Sequence, residues 1–150
     1  MIGENMQTIS KRIIVAVLLF VSADAMAAEN VAVIKETAYA CKMLRSSCQI
    51  ISSGDEIHEG DVIQTGKDGY AGLSFNDGTT VALDSDSKFQ INKYDYTPLK
   101  HSYSFDVLLS RGAALYSSGR LGKLDPSAVK FKTPTTVIAV RGTRFLVSTD

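Results

Sequence analysis

The sequence predicts an all-β fold: a single domain of short antiparallel strands, arranged as a β-sandwich or a short β-solenoid. Three observations predict it. Beyond residue 27 nothing sustains a 3.6-residue apolar period over a dozen residues. Short segments alternating apolar and polar residues recur instead between Gly- and Asp-rich turns. The composition agrees, with 11 Gly against 3 Pro and many Val, Ile, Thr, Tyr and Phe.

Residues 1–27 read as a signal peptide ahead of this domain. Lys11 and Arg12 form a basic n-region, and Ile13 to Val21 is an apolar run without charge. Ala25 and Ala27 then flank Met26 as in an A-x-A cleavage site. A helix of that apolar run rises only about 14 Å against roughly 30 Å of hydrocarbon core, too little for a membrane span. The ten residues before Lys11 are unusual for a leader and leave the start open between Met1 and Met6. Cleavage after Ala27 leaves residues 28–150 as the all-β domain. No apolar run there reaches membrane-spanning length, so no transmembrane span is expected in the mature chain.

Charge narrows the function. Lys plus Arg is 16 and Asp plus Glu is 16, a net charge of zero, which argues against nucleic acid as a partner. Hydrophobic residues make up 45% of the chain, too many for a disordered one.

Both cysteines, Cys41 and Cys48, fall in the mature part, and a secreted chain meets an oxidising compartment. A disulfide is expected, with Ala38 to Leu44 and Gln49 to Ser52 as hairpin arms around an Arg45–Ser47 turn. A redox or metal pair is the alternative, although two cysteines supply only half of a typical zinc site.

The strands can be placed in order. Val62 to Thr65 lies between the turn signals Glu59-Gly60-Asp61 and Thr65 to Gly69. Ala71, Leu73 and Phe75 share one face of a strand; Val81 and Leu83 share one face of the next. A two-residue Asp77-Gly78 loop puts these apolar sets on opposite faces. A three-residue loop, Asn76 to Gly78, pairs Phe75 with Thr79, Leu73 with Val81 and Ala71 with Leu83, and the sets coincide. That loop needs a left-handed residue at its bulge, and Gly78 supplies it. Phe89 and Ile91 mark the next strand, and Tyr103, Phe105 and Val107 another. Arg111-Gly112 turns or bends the chain into Ala113 to Tyr116. Leu121 to Ser127 reads as non-strand around Pro126. Val129 and Phe131 follow. Thr136 to Val140 is apolar on both faces, which predicts a central buried strand, and Phe145 to Ser148 is the last.

Three blocks of turn residues then become specific in combination. Gly60, Asp61, Thr65 and Gly66 form a GD-x-I-x-TG block. Phe75, Asp77, Gly78 and Thr79 form an F-x-DGT block. Thr133-Pro134 precedes Ala139-Val140-Arg141-Gly142-Thr143, a TP…AVRGT block ending on Phe145. In this order they resemble the FecR-domain family of bacterial envelope proteins, over roughly residues 31–150. The resemblance implies an all-β domain in the periplasm of a Gram-negative-type bacterium, and a role in signal relay such as that of the iron-uptake system. The chain departs from the family's namesake plan: a signal peptide stands where that plan has a cytoplasmic segment and a membrane helix. A secreted stand-alone domain cannot by itself carry a signal across the inner membrane.

The resemblance implies binding or regulation, and the residue chemistry recommends no catalytic or metal site; no enzyme, cofactor or metal is expected. His58 beside Glu56, Glu59 and Asp61 could in principle bind a metal, but a His in such a setting is more often a solvated turn residue. Asp84-Ser85-Asp86-Ser87 lacks the Gly and Glu of a calcium loop, and no G-x-S-x-G occurs. Tyr94, Tyr96, His101 and Tyr103 cluster with Phe105 around Pro98. They form the candidate binding surface, against the alternative that they plug the core. Lys130, Lys132, Arg141 and Arg144 are a solvated strand face first, and Arg141 is suited to tying turns together. The expected partner is an envelope protein, docked at an edge strand or at the aromatic cluster. The alternative is a cell-wall glycan, as a bound ligand or as the substrate of a small hydrolase.

Overall fold

Alternating sequence produces strands with one buried face. In β4 (Val62–Phe75) that face carries Ile63, Thr65, Ala71, Leu73 and Phe75, and in β5 (Thr80–Leu83) it carries Val81 and Leu83. The structure is a computed structural model that describes residues 27–140 and 142–150. The signal peptide expected at the start of the chain, up to Met26, and the role expected of Arg141 lie outside the described residues.

The remaining strands are β1 (Asn30–Leu44), β2 (Ser47–Ile50), β3 (Glu56–His58), β6 (Lys88–Thr97), β7 (Ser102–Ser117), β8 (Val129–Lys132), β9 (Val137–Ala139) and β10 (Arg144–Thr149). The expected non-strand stretch holds the short helix α1 (Arg120–Leu124) and a 3-10 turn at Pro126–Ala128. The fold is all-β, as expected, but it is one sheet and not two packed sheets. Three long strands carry it. β1 and β4 pair antiparallel. β5 and β6 lie end to end between β4 and β7, each pairing with both. β8 and β10 pair with the two halves of β7, and β9 continues beyond β8. The β7–β8 pairing is parallel, so the chain needs a crossover, and α1 lies on it.

The sheet closes on its apolar face. Phe105 of β7 meets Phe75 of β4 with ring centroids 4.9 Å apart and Tyr116 of its own strand at 5.6 Å. Tyr116 stacks on Phe145 at 4.8 Å, and Phe145 meets Phe131 edge-on at 5.6 Å. Tyr116, Phe89, Phe105 and Phe131 are fully buried. This aromatic chain is the centre of the core.

The hairpin register is the expected one. Ala71 pairs with Leu83 and Leu73 with Val81. The Phe75 N–H donates to the Thr79 carbonyl at 2.8 Å, and Gly78 has φ +87°.

Two expectations are corrected, and one left between two alternatives is resolved. Thr65 to Gly69 is not a turn; β4 runs through it. It is a bulge, because Ala40 pairs with Thr65 and Ala38 with Tyr70, leaving residues 66–69 opposite Tyr39 alone. A Cβ on Gly69 would stand 2.6 Å from the Tyr39 carbonyl oxygen, so the close approach requires glycine there. Of the turn or bend expected at Arg111-Gly112, the turn does not form, and the strand is not ended there. β7 continues, but the buried residues change phase from Phe105, Val107 and Leu109 to Ala114 and Tyr116, and Gly112 at φ +91° makes the shift. Finally, Thr136 to Val140 is not a central strand. Its strand part, β9, lies at the rim of the sheet with Val137 62% exposed. One face of β9 points to the core, where Ile138 packs, while Val137 and Ala139 face outward; Val140, just past the strand, is buried.

Candidate functional site

The signature blocks are hydrogen-bonded turns. Gly60, at φ +89°, donates its N–H to the Ile91 carbonyl at 2.7 Å. Asp61 Oδ2 accepts from the His58 N–H at 2.9 Å and pairs with Lys42 Nζ at 3.3 Å. Buried Thr65 donates its hydroxyl to the Asp84 carbonyl at 2.6 Å, and the Gly66 carbonyl accepts from the Asp86 N–H at 3.0 Å. Thr133 and Pro134 open the turn between β8 and β9, where the Thr133 N–H donates to the Thr136 carbonyl at 2.8 Å. The Thr143 carbonyl, next to Gly142, accepts from the Ser118 N–H at 2.7 Å.

Asp77 is the most connected of them. It is buried, and its Oδ2 accepts from the Thr79 hydroxyl at 2.6 Å and from the Leu121 N–H at 3.0 Å. Its Oδ1 accepts from the Tyr94 hydroxyl at 2.9 Å, and its own N–H donates back to the Tyr94 oxygen at 2.9 Å. The Asp77 carbonyl accepts from the Arg120 N–H at 2.9 Å. One side chain thus ties the β4–β5 turn to β6 and to the start of α1.

Tyr94 stands between this knot and a surface groove. Its ring packs on Phe75 at 5.3 Å. Burial, with the Asp77 charge beside it, pushes its hydroxyl well above the ordinary tyrosine range, so it stays protonated. The groove, about 310 Å³, is lined by Tyr94, Asp95, Tyr96, Glu59, Asn76 and the start of β1 among others. Asp95 accepts from the Ser102 hydroxyl and, at 2.7 Å, from the Thr97 hydroxyl; these two bonds hold its carboxyl below the usual carboxylate range. Glu59 Oε2 accepts from the Tyr94 N–H at 3.1 Å. The groove therefore presents fixed carboxylates beside an aromatic wall.

The four residues of the expected binding surface divide. Tyr94 and Tyr96 line the groove. Tyr103, opposite Tyr96 in the β6–β7 ladder, backs it with ring centroids 6.2 Å apart. His101 does not line it; exposed and left-handed at φ 50°, it follows the 3-10 turn Pro98–Lys100 at the hairpin tip. Phe105 is core. Asp95 and Glu59 escaped the sequence reading: alternation along β6 turns Asp95 to the other face of the strand from Tyr94 and Tyr96, so no sequence signal set it beside them. A larger cleft, about 580 Å³, opens between Gly122, Asp125, Pro126 and Ser127 on one side and Ala139, Val140 and Gly142 on the other. Its two sides belong to the non-strand stretch around Pro126 and to the AVRGT block, which the sequence read as turns and not as a cleft.

Cys41 and Cys48 come together as a disulfide-capable pair, with Cα atoms 5.5 Å apart on adjacent strands. The turn between the arms is shorter than expected: Arg45 and Ser46 make it, and Ser47 already pairs with Leu44. Among the described residues, no three His, Cys, Asp or Glu side chains are placed to hold a metal ion, and no helix is long and apolar enough to cross a membrane.

A family model described as FecR protein matches residues 61–150. The chain belongs to the FecR family. No curated protein and no solved structure matches it. The FecR match spans all three signature blocks except for Gly60, one residue before its start. It therefore covers the Asp77 knot, the crossover and the wall of Tyr94 and Tyr96, while Glu59 and the β1 side of the groove lie outside it. FecR proteins act in regulation of envelope signalling, and the chain takes that regulatory class from its family.

Proposed function

We propose that this FecR protein is a periplasmic, non-catalytic binding and regulatory module that docks an envelope protein at the groove beside Tyr94 and Tyr96. The leader pattern in residues 1–27 supports export, and the family supports signalling as the context. The observation that carries the docking site is the pairing of a half-buried tyrosine wall with Asp95, whose carboxylate is fixed by two hydroxyl donors. A surface with its rotamers already set loses little side-chain entropy on binding.

The test is crosslinking in the intact periplasm, with a photoreactive residue in place of Tyr96 and a C-terminal tag. Reproducible recovery of one envelope protein, lost when Asp95 is changed to Ala, is the expected result. Recovery of muropeptides alone overturns the protein-partner reading and makes the groove a glycan site, which a tyrosine wall also fits.

A further inference from the structure

The groove beside Tyr94 and Tyr96 has used its hydrogen-bond donors internally and kept acceptors. The Tyr94 hydroxyl donates to Asp77 Oδ1 at 2.9 Å, and the Tyr94 N–H donates to Glu59 Oε2 at 3.1 Å. Asn76 Nδ2 donates to the Asn30 carbonyl at 2.7 Å, and the Thr97 hydroxyl donates to Asp95 Oδ1 at 2.7 Å. Tyr94, Asn76 and Thr97 all line the groove. For a ligand there remain the second oxygen of Glu59, the carboxylate of exposed Glu29 and the Asn76 amide oxygen, none of which has a donor among the described residues.

Charge points the same way. The charged residues of the lining are Glu29, Glu59 and Asp95, and no Lys, Arg or His belongs to it. Asp95, on the other face of β6 from the tyrosines, acts from across the strand; Lys93 and Lys100 stand near it but outside the lining. Cleavage after Ala27 sets one amino group at Ala28 in the groove, which still leaves carboxylates in excess. The whole chain is neutral, with 16 basic and 16 acidic residues, so the excess is local. The carboxylates are not gathered to hold a metal ion. Arg and Lys side chains carry donors, positive charge and no acceptor. The half-buried ring of Tyr96 adds a face that attracts such a cation. At about 310 Å³ the groove stands at the small end of ligand pockets, a size for a side chain with its flanking backbone. Resting on the docking site proposed above, we infer that the groove receives a basic segment of the envelope partner, with an Arg or Lys side chain held by Glu29 and Glu59 against Tyr96.

Titration of the processed chain with three blocked tripeptides tests this, with arginine, glutamine or glutamate at the centre, followed by amide NMR shifts. The arginine peptide is expected to move the amides of Asn30, Asn76 and Tyr96 and to saturate at about 1–10 mM, the range open to so small a ligand. The glutamine peptide should bind at least about threefold more weakly, and the glutamate peptide should leave those amides in place. Glu59→Gln keeps an acceptor for the Tyr94 N–H and removes the charge, so it should weaken the arginine peptide about three- to fivefold and leave the rest of the spectrum unchanged. Equal affinity for the arginine and glutamine peptides overturns the inference, and so does a Glu59→Gln variant that binds arginine as tightly as the parent. Failure here is distinct from failure of the docking site. An envelope protein captured at position 96, together with groove amides that no arginine peptide moves, keeps the docking site and removes its basic ligand. Muropeptides captured alone remove both.

Discussion

The Tyr94 hydroxyl lies 2.9 Å from Asp77 Oδ1 and 2.9 Å from the Asp77 backbone nitrogen, donating to the first and accepting from the second. This reciprocal pair joins the β4–β5 turn to β6. Through Oδ2 of the same carboxylate it reaches Leu121, 44 positions along the chain. A residue that closes a hairpin thereby also fixes where the crossover helix begins.

Replacing Asp77 by Ala should be severe. The Thr79 and Tyr94 hydroxyls and the Leu121 N–H would all lose their acceptor in a buried site, at a cost of about 3 kcal/mol or more. Tyr94→Phe removes one partner and keeps the ring on Phe75, so a loss of about 1 kcal/mol is expected. Urea denaturation measures both. Equal losses would mean that Tyr94, and not the carboxylate, organises the knot.

Alkaline pH probes the same contact. The folded pKa of Tyr94 is raised by burial and by the Asp77 charge; burial also raises that of Tyr116. A raised folded pKa means that the stabilisation is fully present below the unfolded value, about 10, and is lost as pH climbs above it. Stability should therefore fall steeply above pH of about 10, and Tyr94→Phe should make that fall shallower. Melting temperatures recorded from pH 8 to about 11 decide it. A variant with the parent's alkaline slope would detach Tyr94 from the effect.

The legible parts of this fold are the local ones. The 71–83 register followed from alternation and a Gly-containing loop, because a one-residue slip would have exposed a whole face. The cysteine hairpin and the non-strand stretch around Pro126 were equally visible. What escaped is spatial. Nothing local says that Asp77 reaches α1, or that Gly112 shifts the face of a continuing strand instead of ending it. The run Thr136 to Val140 carries the same apolar signal at a rim as in a centre. At the groove, tyrosine spacing located one wall, while Glu59 arrives from a different turn through its bond to the Tyr94 N–H.

Two glycines separate backbone conformation from crowding. A Cβ on Gly78 meets nothing within 4 Å, but φ is +87°. Gly78→Val should therefore cost more than about 1 kcal/mol through conformation alone, and Gly78→Asn less, because Asn tolerates the left-handed region. At Gly119 a Cβ would stand 2.2 Å from the Thr79 nitrogen, inside the turn that Asp77 organises. Gly119→Ala should be the worse of the two, although Ala is far smaller than Val. Unfolding midpoints in the reverse order would place the strain elsewhere.

The cysteine pair gives the last prediction, and it concerns the edge strand more than the core. β2 touches the rest of the fold through β1, and its residues are all exposed, so little apolar burial holds it in place. Joining Cys41 to Cys48 closes a short loop, for which chain entropy gives about 2–3 kcal/mol. Because β2 contributes so little to the core, replacing both cysteines by Ser should unfold the arm before the domain. Hydrogen exchange at Gln49 and Ser47, whose amides face β1, should rise sharply, while exchange at Val81, Phe105 and Tyr116 should stay slow. Mass spectrometry of alkylated protein from the periplasm should find no free thiol at either position in the parent. Free thiols there, or an arm as protected in the double-serine variant as in the parent, would show that the ladder alone holds β2.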